Sequence, residues 1–356
     1  MGAAADFKTR VELKVTQQLK SQRVGYLLGA GSSYLDGAGY PLACQLWGKI
    51  RDFIGDASAR KEIQAKLDAG ASGLEHALDL LDEGLPQESR HRVFVTNAIA
   101  GIFRPIRPPL DNHVLFLRRL AARSEPHVKI FNLNYDPLVE WSAEQAKIRL
   151  FDGFCGNEHA YFMPEAFEER IGRIRGTHKA KQFDETTKPV HLLKLHGSVG
   201  WCECAGRGIR RCVYWYECGT STGDSCPFAS GSPPDTKILM IPPQRRKAND
   251  TMNVPYSALW STFRGALGQD ATPLNRLVCL GYGFSDEHVN AVIDAALART
   301  DFTLLAFARA LSDQAWGRWS QKKNAVIVTE SRCALNGEQG EGHVNLWDFK
   351  RLVQEV

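Results

Sequence analysis

Two side chains suited to a reaction centre follow buried, strand-like runs of the sequence. Asn134 comes directly after VKIFNL (128–133), and His196 comes directly after HLLKL (191–195). Asparagine can hold a water molecule as donor and acceptor at once without taking its proton. Histidine titrates near neutral pH and can take that proton as a general base. Together the two residue types are suited to activating a water molecule.

A glycine-rich turn adds a binding feature near the start of the chain. The buried run VGYLL is followed by Gly29, Ala30, Gly31, Ser32 and Ser33. Glycine permits a sharp bend and close approach of a phosphate, and a following helix, whose pattern resumes around Leu42, offers unpaired N–H groups. The turn therefore indicates a nucleotide site. It lacks the third glycine of the dinucleotide fingerprint, so a turn that merely closes a strand is the alternative.

The elements that must position these residues are short apolar strands separated by helices. We predict further strands at 237–241, 276–280, 303–307 and 325–328. This pattern is typical of an α/β fold, a doubly wound, Rossmann-like parallel sheet covered on both faces. Ligands bind beyond the carboxyl ends of such strands. The four strand ends GAGSS, NYD, HGS and GYGFSD should therefore converge on one cleft.

Residues 44–125 show a helical periodicity, for example in the apolar stripe of Leu46, Ile50 and Phe53, and no strand-like pattern interrupts it. We therefore predict a helical insertion subdomain between the first and second strands. Residues 1–43 and 126–356 would form one discontinuous Rossmann-like domain, with an irregular Cys-rich segment at 199–236. A short leading helix is predicted within 7–22.

Composition bounds the function classes. The 356 residues are 44% hydrophobic and 24% charged, as in ordinary soluble globular proteins. A net charge of +4 is too small to indicate nucleic-acid binding. No stretch resembles a signal peptide or a membrane span, so we expect a cytoplasmic protein without membrane association. Its nine cysteines are then expected to be reduced thiols or metal ligands, not a disulfide framework.

The order GAGSS, NYD, LHGS, GYGFSD resembles the sirtuin-like superfamily, and within it the bacterial antiphage-defence NADase branch. The segment PPLDNHVLFLRRLA (108–121) also resembles the helix that precedes the NYD strand in sirtuins. The resemblance spans roughly residues 24 to 331. It implies NAD+ as the ligand and, in the defence branch, cleavage of NAD+ to nicotinamide and ADP-ribose.

The resemblance also assigns roles to residues. Asn134 would position the reactive water, and His196 would be the catalytic histidine. Asp136 would lie in the nicotinamide pocket. The remaining NAD-binding residues would be Gly29, Ala30, Gly31, Ser32 and Ser33 at the phosphates and ribose, and Gly281, Tyr282, Gly283, Phe284 and Ser285 along the adenosine half. These types suit the cleavage, because breaking the glycosidic bond builds positive charge on the ribose and needs a held water with a base.

The cysteines depart from the sirtuin pattern. Deacylating sirtuins carry two CxxC pairs that hold zinc, whereas here Cys202, Cys204, Cys212, Cys218 and Cys226 contain no CxxC pair. We therefore expect zinc to be absent and predict no metal site. Because the zinc module helps to form the acyl-lysine cleft, its replacement by residues 199–236 does not support a peptide channel.

The resemblance further implies a toxic effector of an abortive-infection system, held in check by homo-oligomerisation and a separately encoded partner. That partner would be a translocase-type ATPase or an Argonaute-like protein, since the sequence has no P-loop of its own. Two other functions stay open. One is an NAD-dependent protein deacylase, and the other is a non-catalytic NAD or ADP-ribose sensor.

Several of these residues also have a purely structural explanation. Asn134 or Asp136 could cap the helix that begins near Pro137. His196 could be a buried histidine paired with backbone. Asp286 and Asn290 could contact the adenine ribose or form a helix cap and first turn. His113 is expected to be structural, hydrogen-bonding a loop, and Trp316 and Trp319 to lie in the core.

Overall fold

The structure, a computed structural model, describes residues 2–83, 90–124, 127–156, 160–169, 171–177, 180–187, 190–204, 208–211, 236–241, 253–342 and 345–356. The α-helices are α1 (Gly2–Leu19), α2 (Ala30–Tyr34), α3 (Ala43–Ile50), α4 (Ala57–Asp68), α5 (Leu74–Asp82), α6 (Arg90–Phe103), α7 (Asp111–Ala121), α8 (Leu138–Ala146), α9 (Tyr256–Arg264), α10 (Glu287–Leu297), α11 (Asp313–Trp319) and α12 (Phe349–Leu352). Short 3-10 turns lie at Leu35–Gly37, Arg51–Phe53 and Pro164–Glu168, and a π-helical turn lies at Gly265–Gln269.

The strands are β1 (Val24–Leu28), β2 (Val128–Asn132), β3 (Leu150–Phe151), β4 (Phe154–Cys155), β5 (Tyr161–Phe162), β6 (Ile171–Thr177), β7 (Ala180–Thr187), β8 (Val190–Lys194), β9 (Gly197–Cys204), β10 (Gly208–Arg211), β11 (Thr236–Met240), β12 (Arg276–Leu280), β13 (Thr303–Phe307), β14 (Ala325–Val328), β15 (Arg332–Leu335) and β16 (Glu338–Glu341). Nine of them form the central sheet in the order β16-β15-β14-β13-β12-β1-β2-β8-β3. Pairing is parallel from β3 through β14 and antiparallel at β15 and β16. The predicted parallel, doubly wound sheet is confirmed.

The central sheet buries both of its faces because most positions of its parallel strands are apolar. Leu27 and Phe131 point into a core shared with α9, α10 and α11. Tyr26 and Leu28 point into the opposite core, shared with α1, α7 and α12. Burying one such side chain stabilises the fold by about 1.5–3 kcal/mol. The layers on both faces therefore hold the strand ends in a fixed order.

Helix α1 covers one of these faces because Phe7, Val11, Val15 and Leu19 recur every four residues and form one buried stripe. The helix starts earlier than the predicted segment 7–22 and ends at Leu19.

The predicted helical insertion corresponds to α3–α7, which lie between β1 and β2. Helices α3 to α6 have a core of their own, which includes Ile50, Ile63, Leu78 and Ile99 and also receives Leu138 of α8. Helix α7 instead joins the sheet core through Phe116, Leu117 and Leu120. The last helix of the segment 44–125 therefore packs on the sheet, and the first four form a layer beside the NYD end of β2.

The predicted strand at 237–241 was placed in the wrong sheet. Strand β11 pairs antiparallel with β9 in a separate five-stranded sheet of order β11-β9-β10-β5-β4. Strand β9 begins at Gly197, within the HGS segment that follows β8, and β11 pairs with it and not with the central sheet. The described residues of the segment 199–236 belong to β9, β10 and the start of β11, so the prediction that it is irregular is wrong for them. Its residues 205–207 and 212–235 lie outside the described part of the chain.

Candidate active site

The four polar strand ends lie side by side. Strands β12, β1, β2 and β8 are consecutive neighbours in the central sheet, and the strand order reverses at β1. Beyond their carboxyl ends lies a cavity of about 800 Å³, within the range of about 300–1,000 Å³ typical of small-molecule sites. The predicted residues that line it are Gly29, Ala30, Gly31, Ser33, Asn134, Asp136, His196, Gly281, Tyr282, Gly283 and Ser285.

Two predicted binding residues lie behind the cavity wall. Ser32 is fully buried, and its hydroxyl donates to the carbonyl oxygen of Gly29 at 2.8 Å. Phe284 has a φ of 56° and packs its ring against Tyr282 and Trp319, with centroids 4.7 and 4.9 Å away. In this structure both residues support the wall and neither faces the cavity.

The glycine turn is pressed against the turn after β12. A Cβ at Gly29 would lie 2.6 Å from the Tyr282 Cα, and one at Gly31 would lie 2.8 Å from the Gly281 Cα. The turn continues directly into α2 at Ala30, so the helix begins well before the predicted position around Leu42. The Gly31 N–H donates to the Gly281 carbonyl at 2.9 Å, and the Ser32 N–H donates to Gly29. The glycines are therefore required by backbone contact as well as by any ligand.

The side chain of Asn134 is clamped by the glycine turn. Its Nδ2 donates to the Gly29 carbonyl at 3.0 Å, to Ser33 Oγ at 2.9 Å and to Ser32 Oγ at 3.3 Å. A carbonyl oxygen only accepts hydrogen bonds, so the contact with Gly29 places the amide nitrogen on this side. Asn134 therefore turns toward the glycine turn instead of capping α8, and its Oδ1 is the acceptor that it can offer to a ligand.

The NYD segment is held from beneath by residues that the sequence did not single out. Asn132 Oδ1 accepts from the Asn134 backbone N–H at 2.9 Å. Lys194 is fully buried at the end of β8, and its Nζ donates to the Asp136 carbonyl oxygen and to Glu140 Oε1, the latter at 3.0 Å. A strand-end asparagine and a lysine inside an apolar strand were the signals present in the sequence. These contacts fix the backbone that presents Asn134.

Asp136 both contacts the start of α8 and lines the cavity. Its Oδ1 accepts from the Leu138 N–H at 3.1 Å at the start of α8, and the residue also lines the cavity. Burial raises the pKa of Asp136 above its ordinary value, while the Lys194 ammonium and the Leu138 N–H act in the opposite direction. The carboxyl group is thus both a structural acceptor and a wall of the pocket.

His196 faces a carboxylate. Its Nε2 lies 3.0 Å from Asp286 Oδ2, and both side chains are 6% exposed. The imidazole lies between two aromatic rings, with centroids 6.5 Å from Tyr135 and 6.4 Å from Trp260. Both His196 and Asp286 line the cavity.

The segment after Phe284 forms the start of α10. Asp286 is its N-cap, and its Oδ1 accepts from the His288 N–H at 3.0 Å and from the Val289 N–H at 3.4 Å. Asn290 is fully buried, and its Nδ2 donates to the Phe284 carbonyl at 3.0 Å. The cap and first-turn explanation of Asp286 and Asn290 is therefore confirmed.

Part of the cavity wall comes from segments that sequence reasoning missed. Leu35 and Asp36 line it with φ values of 49° and 54°, a left-handed conformation uncommon for side-chain-bearing residues. Arg309, Trp347 and Lys350 line its other end. The C-terminal segment carries no motif, so nothing in the sequence placed it here.

Other predictions concern residues away from the cavity. Trp316 and Trp319 lie in the core as expected. His113 is buried against Phe349, with ring centroids 4.6 Å apart, and neither ring nitrogen has a hydrogen-bond partner among the described residues, so the expected bond to a loop is wrong.

Two findings concern metals and membranes. Within the described ranges, no group of three or more potential metal ligands is brought together. Cys202 is buried, whereas Cys212, Cys218 and Cys226 lie outside those ranges. None of the described helices has the length and apolarity needed to cross a membrane.

The fold and the cavity define an α/β protein with a ligand cleft at the switch point of a parallel sheet. No protein-family profile matches the chain, and no curated protein matches it. Solved structures to which it is similar include a sirtuin studied for its substrate affinity (12% identity, 98% of this chain, 96% of that chain, TM-score 0.42). Another is Sir2 in complex with the inhibitor EX-527, 2′-O-acetyl-ADP-ribose and a deacetylated peptide (13%, 98% and 96%, 0.42). A third is a variant Sir2 homologue bound to ADP-ribose (12%, 96% and 96%, 0.43).

Proposed function

We propose that this protein is an NAD+ glycohydrolase that cleaves NAD+ to nicotinamide and ADP-ribose. The observation that carries the proposal is the convergence of Asn134 and His196, from neighbouring strands β2 and β8, on one cavity of about 800 Å³ whose floor is a glycine turn. An amide that can hold water and an imidazole that can take its proton are the groups that hydrolysis of a glycosidic bond needs.

In this proposal the substrate lies across the strand ends. The nicotinamide ribose lies between Asn134 and His196, with the nicotinamide near Asp136. The pyrophosphate lies over Gly29–Ser33, and the adenosine half runs along Gly281–Ser285. The last two segments meet at β1 and β12, which are adjacent strands.

The clamp on Asn134 supports a specific role for its amide. Because Nδ2 is held by Gly29, Ser32 and Ser33, Oδ1 accepts a hydrogen bond from the attacking water and turns a lone pair of that water toward the ribose. As the bond to nicotinamide breaks, positive charge develops on the ribose. The same amide oxygen then lies where a negative dipole stabilises that charge.

The proton of the water is assigned to His196. The water oxygen forms the new bond to the ribose carbon, the bond to nicotinamide breaks, and nicotinamide leaves as a neutral molecule with the electron pair. One proton remains, and the imidazole takes it and later releases it to solvent. The balance is NAD+ and water giving nicotinamide, ADP-ribose and a proton.

We further propose that the activity is that of a toxic antiphage effector in a bacterial cytoplasm, working as a homo-oligomer with a separately encoded ATPase or Argonaute-like partner. The support for this part is the order of the four sequence motifs and their resemblance to the defence branch. Residues 1–43 and 126–356 as the nucleotide-binding domain, with 44–125 as the insertion, belong to the same proposal.

The test is nicotinamide release from NAD+ by the purified full-length chain, alone and with the products of neighbouring genes, in the absence of any peptide. Asn134→Ala and His196→Ala are each expected to lower the rate on the order of 10²–10⁴-fold. Asn97→Ala, at an exposed position of α6, is the matched control and should leave the rate unchanged.

Three outcomes separate the functions. Release without peptide that both variants lose supports the glycohydrolase. Release that requires an acylated peptide identifies a deacylase instead. Binding of NAD+ or ADP-ribose by calorimetry, with no turnover under any of these conditions, identifies a sensor and contradicts the proposal.

A further inference from the structure

We propose that Asp286 is a positioning residue for His196, holding its imidazole and balancing the positive charge that it acquires. The catalytic consequence of this inference rests on the proposed function. The coupling between the two side chains does not. It starts from the 3.0 Å separation of His196 Nε2 and Asp286 Oδ2 in surroundings that leave each side chain 6% exposed.

The two carboxylate oxygens of Asp286 have different partners. Oδ1 caps α10 through the N–H groups of His288 and Val289, and Oδ2 faces His196. The capping hydrogen bonds alone would be served equally well by serine or asparagine. A carboxylate also gains from the positive end of the helix dipole, and here its second oxygen faces the imidazole. The residue type therefore fits the dual contact better than the cap.

The position of this carboxylate is set by the surrounding wall. Tyr282 Oη lies 2.9 Å from Asn290 Oδ1 and 3.1 Å from the Asp286 carbonyl oxygen. Asn290 Nδ2 is bonded in turn to the Phe284 carbonyl. These buried contacts lock the start of α10 against β12. His196 is thus oriented by a group on a rigid helix start and not by a mobile side chain.

Of the charged groups that the structure places near His196, Asp286 is the nearest. The rings packed about the imidazole are Tyr135 and Trp260, and His288 lies beyond Trp260 with a centroid separation of 6.5 Å. Glu75, Tyr256 and Asp286 all act electrostatically on Tyr135, and burial is the main reason that the pKa of this phenol is raised. In low-dielectric surroundings a carboxylate at 3.0 Å stabilises an imidazolium more strongly than these groups.

Asp286 lies on the Nε2 side of the imidazole, and its position determines which ring nitrogen acts in the proposed reaction. With the carboxylate at Nε2, the neutral ring carries its proton on Nε2 and the proton of the attacking water is taken at Nδ1. The carboxylate stays ionised while the imidazolium exists, as in other carboxylate–histidine pairs. Asp286 touches no reacting atom in this scheme.

The variants that test the inference separate the charge from the cap. Asp286→Asn keeps the cap and removes the charge, and Asp286→Ser keeps the cap and removes the group that reaches His196. Asp56→Asn is the matched control, because Asp56 caps α4 through the Ala59 N–H at 2.9 Å and lies outside the cavity lining. Circular dichroism and thermal melting confirm that each variant is folded.

The first readout does not depend on activity. The ring resonance of His196, assigned by its loss in His196→Gln, is followed by NMR through a pH titration of the full chain. In Asp286→Asn and Asp286→Ser the midpoint should move to lower pH by about 1–3 units, the range for losing an adjacent opposite charge. Asp56→Asn should leave it in place. A midpoint that is the same in all four proteins overturns the inference, whether or not the chain hydrolyses NAD+.

The second readout is the split between kcat and KM for nicotinamide release. Both Asp286 variants should lose kcat on the order of 10²–10⁴-fold while KM and the affinity for ADP-ribose stay within about threefold, since in this proposal Asp286 acts through His196. Wild-type kcat in Asp286→Asn overturns the inference and leaves the glycohydrolase standing. Absence of turnover in the wild type contradicts the glycohydrolase, and the titration then decides the coupling.

Discussion

Acid should weaken the fold through two buried histidines, and His113 allows this to be measured at one position. Burial lowers the pKa of His113 to about 3 and that of His191 to about 4. The ordinary value, which applies in the unfolded chain, is 6.5. The unfolded chain therefore binds more protons than the folded one, so stability is complete above pH 6.5 and falls as the pH drops toward the folded pKa values.

The magnitude follows from the interval between the two pKa values. At pH 5 the unfolded histidine is almost fully protonated, 1.5 units below its midpoint, while the buried ring is still neutral. At 1.36 kcal/mol per unit, each histidine then lowers the free energy of unfolding by about 2 kcal/mol relative to pH 7.5. The two together account for about 4 kcal/mol.

The perturbation is His113→Leu, assayed by urea unfolding at pH 7.5 and pH 5.0. Leucine fills a similar volume and removes two buried ring nitrogens that have no hydrogen-bond partner in the described part of the chain. The variant should be at least as stable as the wild type at pH 7.5, because an unpaired buried polar group is costly. Its loss of stability at pH 5.0 should be smaller than that of the wild type by about 2 kcal/mol.

The control is Phe116→Leu, in the same core and against the same ring, with a centroid 5.7 Å from that of Phe349. This change removes packing and no titration, so it should lower stability equally at both pH values. If His113→Leu and Phe116→Leu lose the same amount between pH 7.5 and pH 5.0, the buried-histidine argument is refuted.

Three further predictions concern the site. Gly31→Ala should lower the free energy of unfolding by about 1–3 kcal/mol and weaken NAD+ binding, because its Cβ would lie 2.8 Å from the Gly281 Cα. The control is Gly283→Ala, which has open space around its Cβ. It should change the free energy of unfolding in urea by no more than about 0.5 kcal/mol. Lys194→Met should lower the free energy of unfolding by about 3–5 kcal/mol in the same assay, since it leaves Glu140 and the NYD carbonyls without a fully buried partner. An unchanged midpoint of urea unfolding would show that the lysine is dispensable. Ser32→Ala removes an Asn134 anchor that lies behind the cavity wall, and it should lower kcat for nicotinamide release about tenfold with little change in KM; an equal rise in KM would point to substrate contact instead.

Much of the fold could be predicted because the parallel strands are short, apolar and buried on both faces. The same pattern located the strand ends, and so Asn134 and His196 were expected on one cleft. Strand β11 has an equally apolar sequence, and apolarity alone does not say which sheet a strand joins. Its pairing with β9 joins residues that are far apart in the sequence, such as Thr236 and Cys204, and no local pattern encodes such a pairing.

The finer arrangement of the site could not be predicted for a related reason. Asp286 was recognised as a helix cap, since capping depends on neighbours in sequence. Its contact with His196 joins residues from β8 and α10, which only the assembled sheet brings together. The C-terminal Trp347 and Lys350 reach the cavity in the same way, through packing of α12 on the sheet and without any motif.

The mutual contact of Gly31 and Gly281 has a consequence during synthesis. The floor of the cleft is built from the first and the last thirds of the chain, each turn shaped against the backbone of the other. A nascent polypeptide that has emerged only as far as the NYD segment has half of that floor and cannot hold a dinucleotide. If the finished protein destroys the cell's NAD+, the ribosome carries no active toxin until the turn after β12 has been synthesised.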